Sequence, residues 1–100
     1  MADLALDEVR DIGIAAIRRV MGDTPLEIEF RLDFDRDDTP QYSFRLYLPT
    51  PEAWRDASDR ITRITDAVMA DLAKRGDDSF PFVWLLSDGT WTFGRDAAAE

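Results

Sequence analysis

The sequence predicts a two-layer α+β sandwich with elements in the order αββαββ. Three patterns carry that expectation. From Leu26 to Phe34 every even-numbered residue is apolar and every odd one charged, and Gln41 to Leu48 repeats the alternation. Two other segments, one before and one after this pair, repeat apolar residues at spacings of three and four. Strand-like composition returns at Phe80, and Ser87-Asp88-Gly89-Thr90 reads as a tight hairpin loop. Elements that each bury one face stack as helices against a sheet. The expected sheet is four-stranded and mainly antiparallel, in the order 2-1-3-4, with two helices on one face, all within one domain over residues 1–100.

The first element is a helix over 3–21, with Ala5, Leu6, Val9, Ile12, Gly13, Ala16, Ile17 and Val20 in one broad stripe. Asp3, Asp7 and Glu8 at its start and Arg18-Arg19 at its end suit the helix dipole, and Gly22 stops it. Gly13 within the stripe points to a close approach to the layer beneath. Leu4 and Ile14 fall off the stripe.

Strands over 26–34 and 41–48 follow, joined by the polar turn Asp35 to Pro40. Two registers keep the apolar residues on one face. One sets Arg31 opposite Arg45; the other sets Glu29 opposite Arg45. Opposite charges across a ladder are favoured, so the second is expected.

Thr50-Pro51 opens a helix over 51–75, Thr50 as cap and Pro51 in the first turn. Its stripe is Trp54, Ala57, Ile61, Ile64, Val68 and Leu72. Asp56–Arg60, Asp59–Arg63 and Asp71–Arg75 stand acid-before-base at i,i+4 on the other face. Strands over 80–86 and 90–94 complete the set. The hairpin loop pairs Leu86 with Trp91 and Trp84 with Phe93, placing the aromatics of both strands inward and Val83 and Leu85 outward.

Composition narrows function by exclusion. The chain has no histidine, no cysteine and one lysine, Lys74, while 21 acids face 12 bases for a net charge of −9. A general base near neutral pH would have to be a carboxylate or that lysine, and the expected inward strand positions hold no carboxylate. The serines lack a histidine partner, and no glycine-rich phosphate cradle is present. No catalytic residue, cofactor or enzyme activity is expected. Neither nucleic acid nor membrane is an expected partner: the acidic charge repels phosphate backbones, and no apolar run is long enough to span a bilayer. Cytoplasmic residence is the corresponding expectation.

Metal binding has one weak candidate. Asp35, Asp37 and Asp38 follow Asp33 in the spacing that begins a calcium loop, but Asp38 stands where that loop needs glycine and Phe44 where it needs glutamate. A solvated hairpin tip is the simpler reading. What remains is surface: Val83 and Leu85 outward on the sheet, with Tyr47 beside them and Ile14 on the first helix, form the expected interface.

The expected function is therefore a non-catalytic protein-interaction module that forms a homodimer or docks on a basic partner. Size, acidity and element order resemble the small acidic secretion chaperones, though with one strand fewer, and immunity or antitoxin proteins share the same gross features. The resemblance implies a dimer or a protein client. A carboxylate-dependent enzyme and a small-ligand binder are the readings from other classes.

Overall fold

A computed structural model of the chain describes residues 4–92. Its elements are α1 (Leu6–Met21), β1 (Glu27–Phe34), β2 (Pro40–Leu48), α2 (Pro51–Asp59), α3 (Ile61–Lys74) and β3 (Phe82–Ser87). In α1 the Glu8 carboxylate reaches back to accept from the Ala5 N–H at 3.1 Å. Gly22 ends the helix at φ 61°, its N–H donating to the Arg18 carbonyl at 2.9 Å. Thr50 caps α2 through its hydroxyl oxygen, which accepts from the Ala53 N–H at 3.0 Å.

β1 and β2 pair antiparallel with Glu29 opposite Arg45 and Phe30 opposite Phe44, the register that the charges favour. The turn between them is held by Asp35, whose Oδ1 accepts from the Asp37 and Thr39 N–H groups at 2.8 and 2.9 Å. Asp38 takes the positive φ of 61° that this tight turn requires.

The rest of the sheet corrects the expectation. It has three strands in the order β1-β2-β3 and is mixed: β3 lies beside β2, parallel to it, and not beside β1. A four-stranded, mainly antiparallel sheet in the order 2-1-3-4 is thus overturned. The physical reason lies in the outward residues. β1 alternates charge at Glu27, Glu29, Arg31 and Asp33, which suits an edge that must stay wet. β2 carries Arg45 as its single charge and buries Ser43, Phe44, Leu46 and Leu48, which suits the centre. A helical crossover from β2 to its parallel neighbour is the short connection. Of the expected strand over 90–94, residues 90–92 are not in a strand, Leu86 does not pair with Trp91, and Phe93 lies outside the described residues.

Among the described residues there are three helices, not two. The expected helix over 51–75 divides at Arg60, which takes φ −108° and ψ 7° between α2 and α3. Neither proline nor glycine marks the break, and the apolar stripe runs through it in phase. The break aims Arg60 at the end of α1, where its guanidinium donates to the Val20 and Met21 carbonyls at 3.4 and 3.3 Å. Helix-end carbonyls lack intrahelical partners; that of Met21 also accepts from the Thr24 N–H at 3.2 Å. The other expected i,i+4 charges also reach elsewhere: Asp71 pairs with Arg19 at 3.1 Å and Arg75 with Glu8 at 3.0 Å, tying α3 to α1.

All three helices cover one face of the sheet. Their contribution to the core is Val9, Ala16, Ile17 and Met21 from α1, Ala53 and Ala57 from α2, and Ile64, Val68 and Leu72 from α3. The sheet meets them with Phe44, Leu46 and Leu48, while Ile28, Phe30, Val83 and Leu85 pack around that centre. Gly13 of α1 lies directly over Phe44, where a Cβ would come within 2.1 Å of the ring.

Candidate functional site

The helix-covered face leaves the other sheet face open, and three rows of side chains line it. Odd positions of β1 and β2 alternate away from the core, so Glu27, Glu29, Arg31 and Asp33 form one row and Ser43, Arg45 and Tyr47 the next. In β3 the parity is the reverse of the expected one. Val83 aligns with Phe44 and Leu85 with Leu46, toward the helices, whereas Phe82, Trp84 and Leu86 align with Ser43, Arg45 and Tyr47 on the open face. Val83 and Leu85 are partly buried against the core and do not line the outer face. Trp84, expected inward, is 50% exposed.

The reversal has a physical cause. Both faces of β3 are apolar, so alternation does not choose between them; the parallel docking on β2 does. The expected choice rested on a hairpin with the following segment, but that segment folds differently. The Ser87 hydroxyl donates to the Trp91 carbonyl at 2.6 Å, and the Trp91 indole N–H donates to the Leu48 carbonyl at 2.7 Å. Trp91 thereby closes the end of the sheet and does not extend it.

The open face is polar on one side and apolar on the other. Toward β1, Tyr47 donates its hydroxyl to Glu29 at 2.8 Å and Arg31 stands 3.4 Å from the same carboxylate. The Tyr47 hydrogen bond, assisted by Arg31 and Arg45, holds Glu29 below the ordinary carboxylate range against the opposing effect of burial. Ser43 donates to Asp33 at 2.7 Å, and Arg45 stands 3.9 Å from that carboxylate. The Arg45 Nε is buried without a hydrogen-bond acceptor. Toward β3, the Phe80 ring meets Phe82 edge-on at 5.4 Å, and Phe80 is 54% exposed. Phe80, Phe82, Trp84 and Leu86 therefore form an apolar strip along the edge of the sheet.

Of the expected interface residues, only Tyr47 lies on this face. Ile14 is half-buried on α1, under the opposite layer. Asp35, Asp37 and Asp38 sit at the β1–β2 turn, where Asp35 is occupied by backbone donors. No group of three His, Cys, Asp or Glu side chains among the described residues converges as a metal site would need. The residues that sequence reasoning missed are Trp84, Phe82, Leu86, Phe80 and Arg45. The available signal was that β3 is the one strand with no charge.

Among the described residues one carboxylate is buried, in a loop that the reasoning about strand positions did not reach. Asp77 follows α3, and its N–H donates to the Leu72 carbonyl at 3.0 Å. Its Oδ2 accepts from the Tyr42 hydroxyl at 2.8 Å and its Oδ1 from the Ser79 N–H at 2.9 Å. Burial opposes its ionisation, but the Ser79 and Tyr42 donors together bring it below the usual range. The Tyr42 hydroxyl is pushed up, by burial first and then by its hydrogen bond to Asp77 and the charge of that carboxylate. This pair ties β2 to the α3–β3 loop.

The concavities are open depressions, and one of them reaches Glu27 and Tyr47 at the end of the outer face. Two, of about 540 and 420 Å³, flank the Gly22–Pro25 loop; a third of about 480 Å³ lies between α1 and α3 beside Arg19, Asp71, Lys74 and Arg75. No helix among the described residues is long and apolar enough to cross a membrane. In comparisons with known proteins, no family model, no curated protein and no solved structure matches the chain.

Proposed function

We propose that this chain is a non-catalytic, cytoplasmic interaction module whose outer sheet face binds a partner protein. The observation that carries the reading is the apolar strip beside Arg45, in which Phe80 and Trp84 are exposed and Phe82 and Leu86 half-buried. Aromatic residues and arginine dominate the energetics of protein interfaces, and a contiguous exposed apolar strip is the surface feature that such sites share. The carboxylates support the same reading. On the outer face Glu29 and Asp33 are engaged in ion pairs and hydrogen bonds with neighbours, and buried Asp77 accepts bonds that anchor its own loop.

The test is site-specific photo-crosslinking in the cells that make the protein. A benzophenone amino acid replaces Trp84 in one variant and Arg63, exposed on α3, in another. Discrete protein adducts are expected from position 84 and not from position 63. An absence of protein adducts at 84, or the same adducts from both positions, would overturn the reading.

A further inference from the structure

We propose that the occupant of the outer face is a basic amphipathic helix from a partner protein; this rests on reading that face as the docking surface. Three observations select that occupant over a strand or a second copy.

The first concerns the edge of β3. The Asp88 N–H donates to the Leu48 carbonyl at 3.0 Å, which continues the β2–β3 ladder. With Leu48 aligned to Ser87, the alternation of a parallel ladder turns the backbone groups of Trp84 and Leu86 toward β2. Those of Val83 and Leu85 then point to the free edge. There the Trp54 indole N–H of α2 already donates to the Leu85 carbonyl at 3.4 Å. The molecule's own helix thus guards the middle of the edge against an added strand, while the face beside it is uncovered.

The second concerns self-association. The face is apolar along β3 and charged along β1. A two-fold axis along the strands would lay the Trp84 row of one copy on the charged β1 row of the other, and an axis across the strands, while stacking the apolar rows, would set the two β1 rows face to face. Each copy carries a net charge of −9, so a second copy is the poorer fit in charge.

The third concerns charge and length. The β1 row carries three carboxylates and one base: Arg31 and Tyr47 engage Glu29, Arg45 and Ser43 engage Asp33, and Glu27 stands exposed, so acids exceed bases by one across the β1 and β2 rows. From Phe80 to Leu86 the strip runs about 20 Å at the rise of a strand. A helix of about 13 residues covers that length. An apolar stripe at helical spacing would lie on Phe82, Trp84 and Leu86, and Lys or Arg residues on its flank would stand over Glu27, Glu29 and Asp33.

The probe is a synthetic amphipathic Leu/Lys peptide of about 18 residues, long enough to cover the strip with a turn to spare. Its controls are a scrambled peptide of the same composition and a Leu/Glu peptide. Binding is followed by calorimetry, and its location by backbone amide shifts of the labelled full-length protein. The helical Leu/Lys peptide is expected to bind with shifts concentrated in β1, β2 and β3, and the Leu/Glu peptide not to bind. Trp84→Ser, at an exposed position that leaves net charge unchanged, should weaken binding at least about tenfold. Glu27→Gln with Glu29→Gln should weaken it severalfold and reduce its salt dependence. Circular dichroism melts establish that each variant is folded.

Equal binding of the scrambled peptide, or indifference to Trp84→Ser, would overturn the helix and leave nonspecific charge attraction. Sedimentation showing a dimer that Trp84→Ser abolishes would also overturn it, while leaving the face as a docking surface. No binding of the helical peptide sinks the helix alone; the docking reading falls only if crosslinking at position 84 fails too.

Discussion

Replacing Gly13 by alanine sets two effects of opposite sign against each other, and the structure decides which wins. In an exposed helix interior the change would stabilise by about 1 kcal/mol, because glycine is the poorer helix former. Here the new Cβ would lie 2.1 Å from Cζ and 2.2 Å from Cε2 of Phe44, against about 3.5–4.0 Å for carbon atoms in contact. The overlap is therefore about 1.4 Å or more. Phe44 cannot swing into solvent: it is 0% exposed, and its ring stands 5.1 Å from that of Phe30. Either α1 lifts from the sheet or the ring leaves its rotamer. Overpacking of this kind costs about 1–3 kcal/mol, and an overlap this deep belongs at the upper end. Subtracting the helical gain leaves a net loss of about 2 kcal/mol, or roughly 8–16 °C in Tm for a domain of this size.

Urea unfolding followed by far-ultraviolet circular dichroism measures it directly. A second variant makes the cause specific. Phe44→Leu removes the ring edge that the new methyl would strike, so Gly13→Ala should cost less in that background. A coupling of about 1 kcal/mol or more between the two positions is expected for side chains in direct collision. If Gly13→Ala were as stable as the parent or more so, helix propensity would be acting unopposed. The close seating of α1 on Phe44 would then be refuted.

Two further outcomes follow from the core and the buried pair. Ile64→Ala, at a fully buried α3 position, should cost about 2–5 kcal/mol in denaturant unfolding, and a loss below about 1 would remove this helix face from the core. The Asp77 pKa is lower folded than unfolded, so its contribution is present at neutral pH and lost as pH falls below about 4, through the depressed folded value. Asp77→Asn should therefore flatten the acid limb of the stability curve and cost about 1–3 kcal/mol at neutral pH; a curve of unchanged shape would mean the fold does not favour the carboxylate.

The β1–β2 hairpin was legible down to its register because two independent signals agreed there. Alternation named the buried face, and the charges of Arg31, Glu29 and Arg45 separated the two registers of equal parity. Even so, the ion pairs formed are Arg31 with Glu29 and Arg45 with Asp33, so sequence chose the ladder without naming the contacts. The stripe of α2 and α3 was equally plain, but the break between them was not. Arg60 ends one helix and starts another for the sake of the Val20 and Met21 carbonyls, which lie far away in sequence. No local pattern carries that information.

β3 was misread for a related reason. Phe82, Val83, Trp84, Leu85 and Leu86 give no alternation, so its facing depended wholly on which strand it joined. The tight-turn residues Asp88 and Gly89 argued for a hairpin, yet they serve a turn in which Ser87 and Trp91 bond to each other. Val83 and Leu85, expected on the outer face, therefore turn toward the helices, and Phe82, Trp84 and Leu86 take their place.

The property that hid the facing of β3 is also what makes the outer face a candidate site. A strand apolar on both sides belongs between two covering layers, and here the chain supplies one. Full burial of Phe82, Trp84 and Leu86 would be worth about 1.5–3 kcal/mol each. Since these side chains are already partly covered, roughly half of that total is available, about 2–5 kcal/mol. Association costs about 4–15 kcal/mol in lost freedom before any affinity appears. The apolar strip alone therefore cannot hold a tight complex. Whatever binds must draw further energy from the polar half of the face, where the acids of β1 outnumber Arg31 and Glu27 is exposed. Binding that used only the apolar strip would be nearly indifferent to salt, whereas binding across the whole face weakens as salt rises. The salt dependence of any complex thus reports how much of the face is engaged.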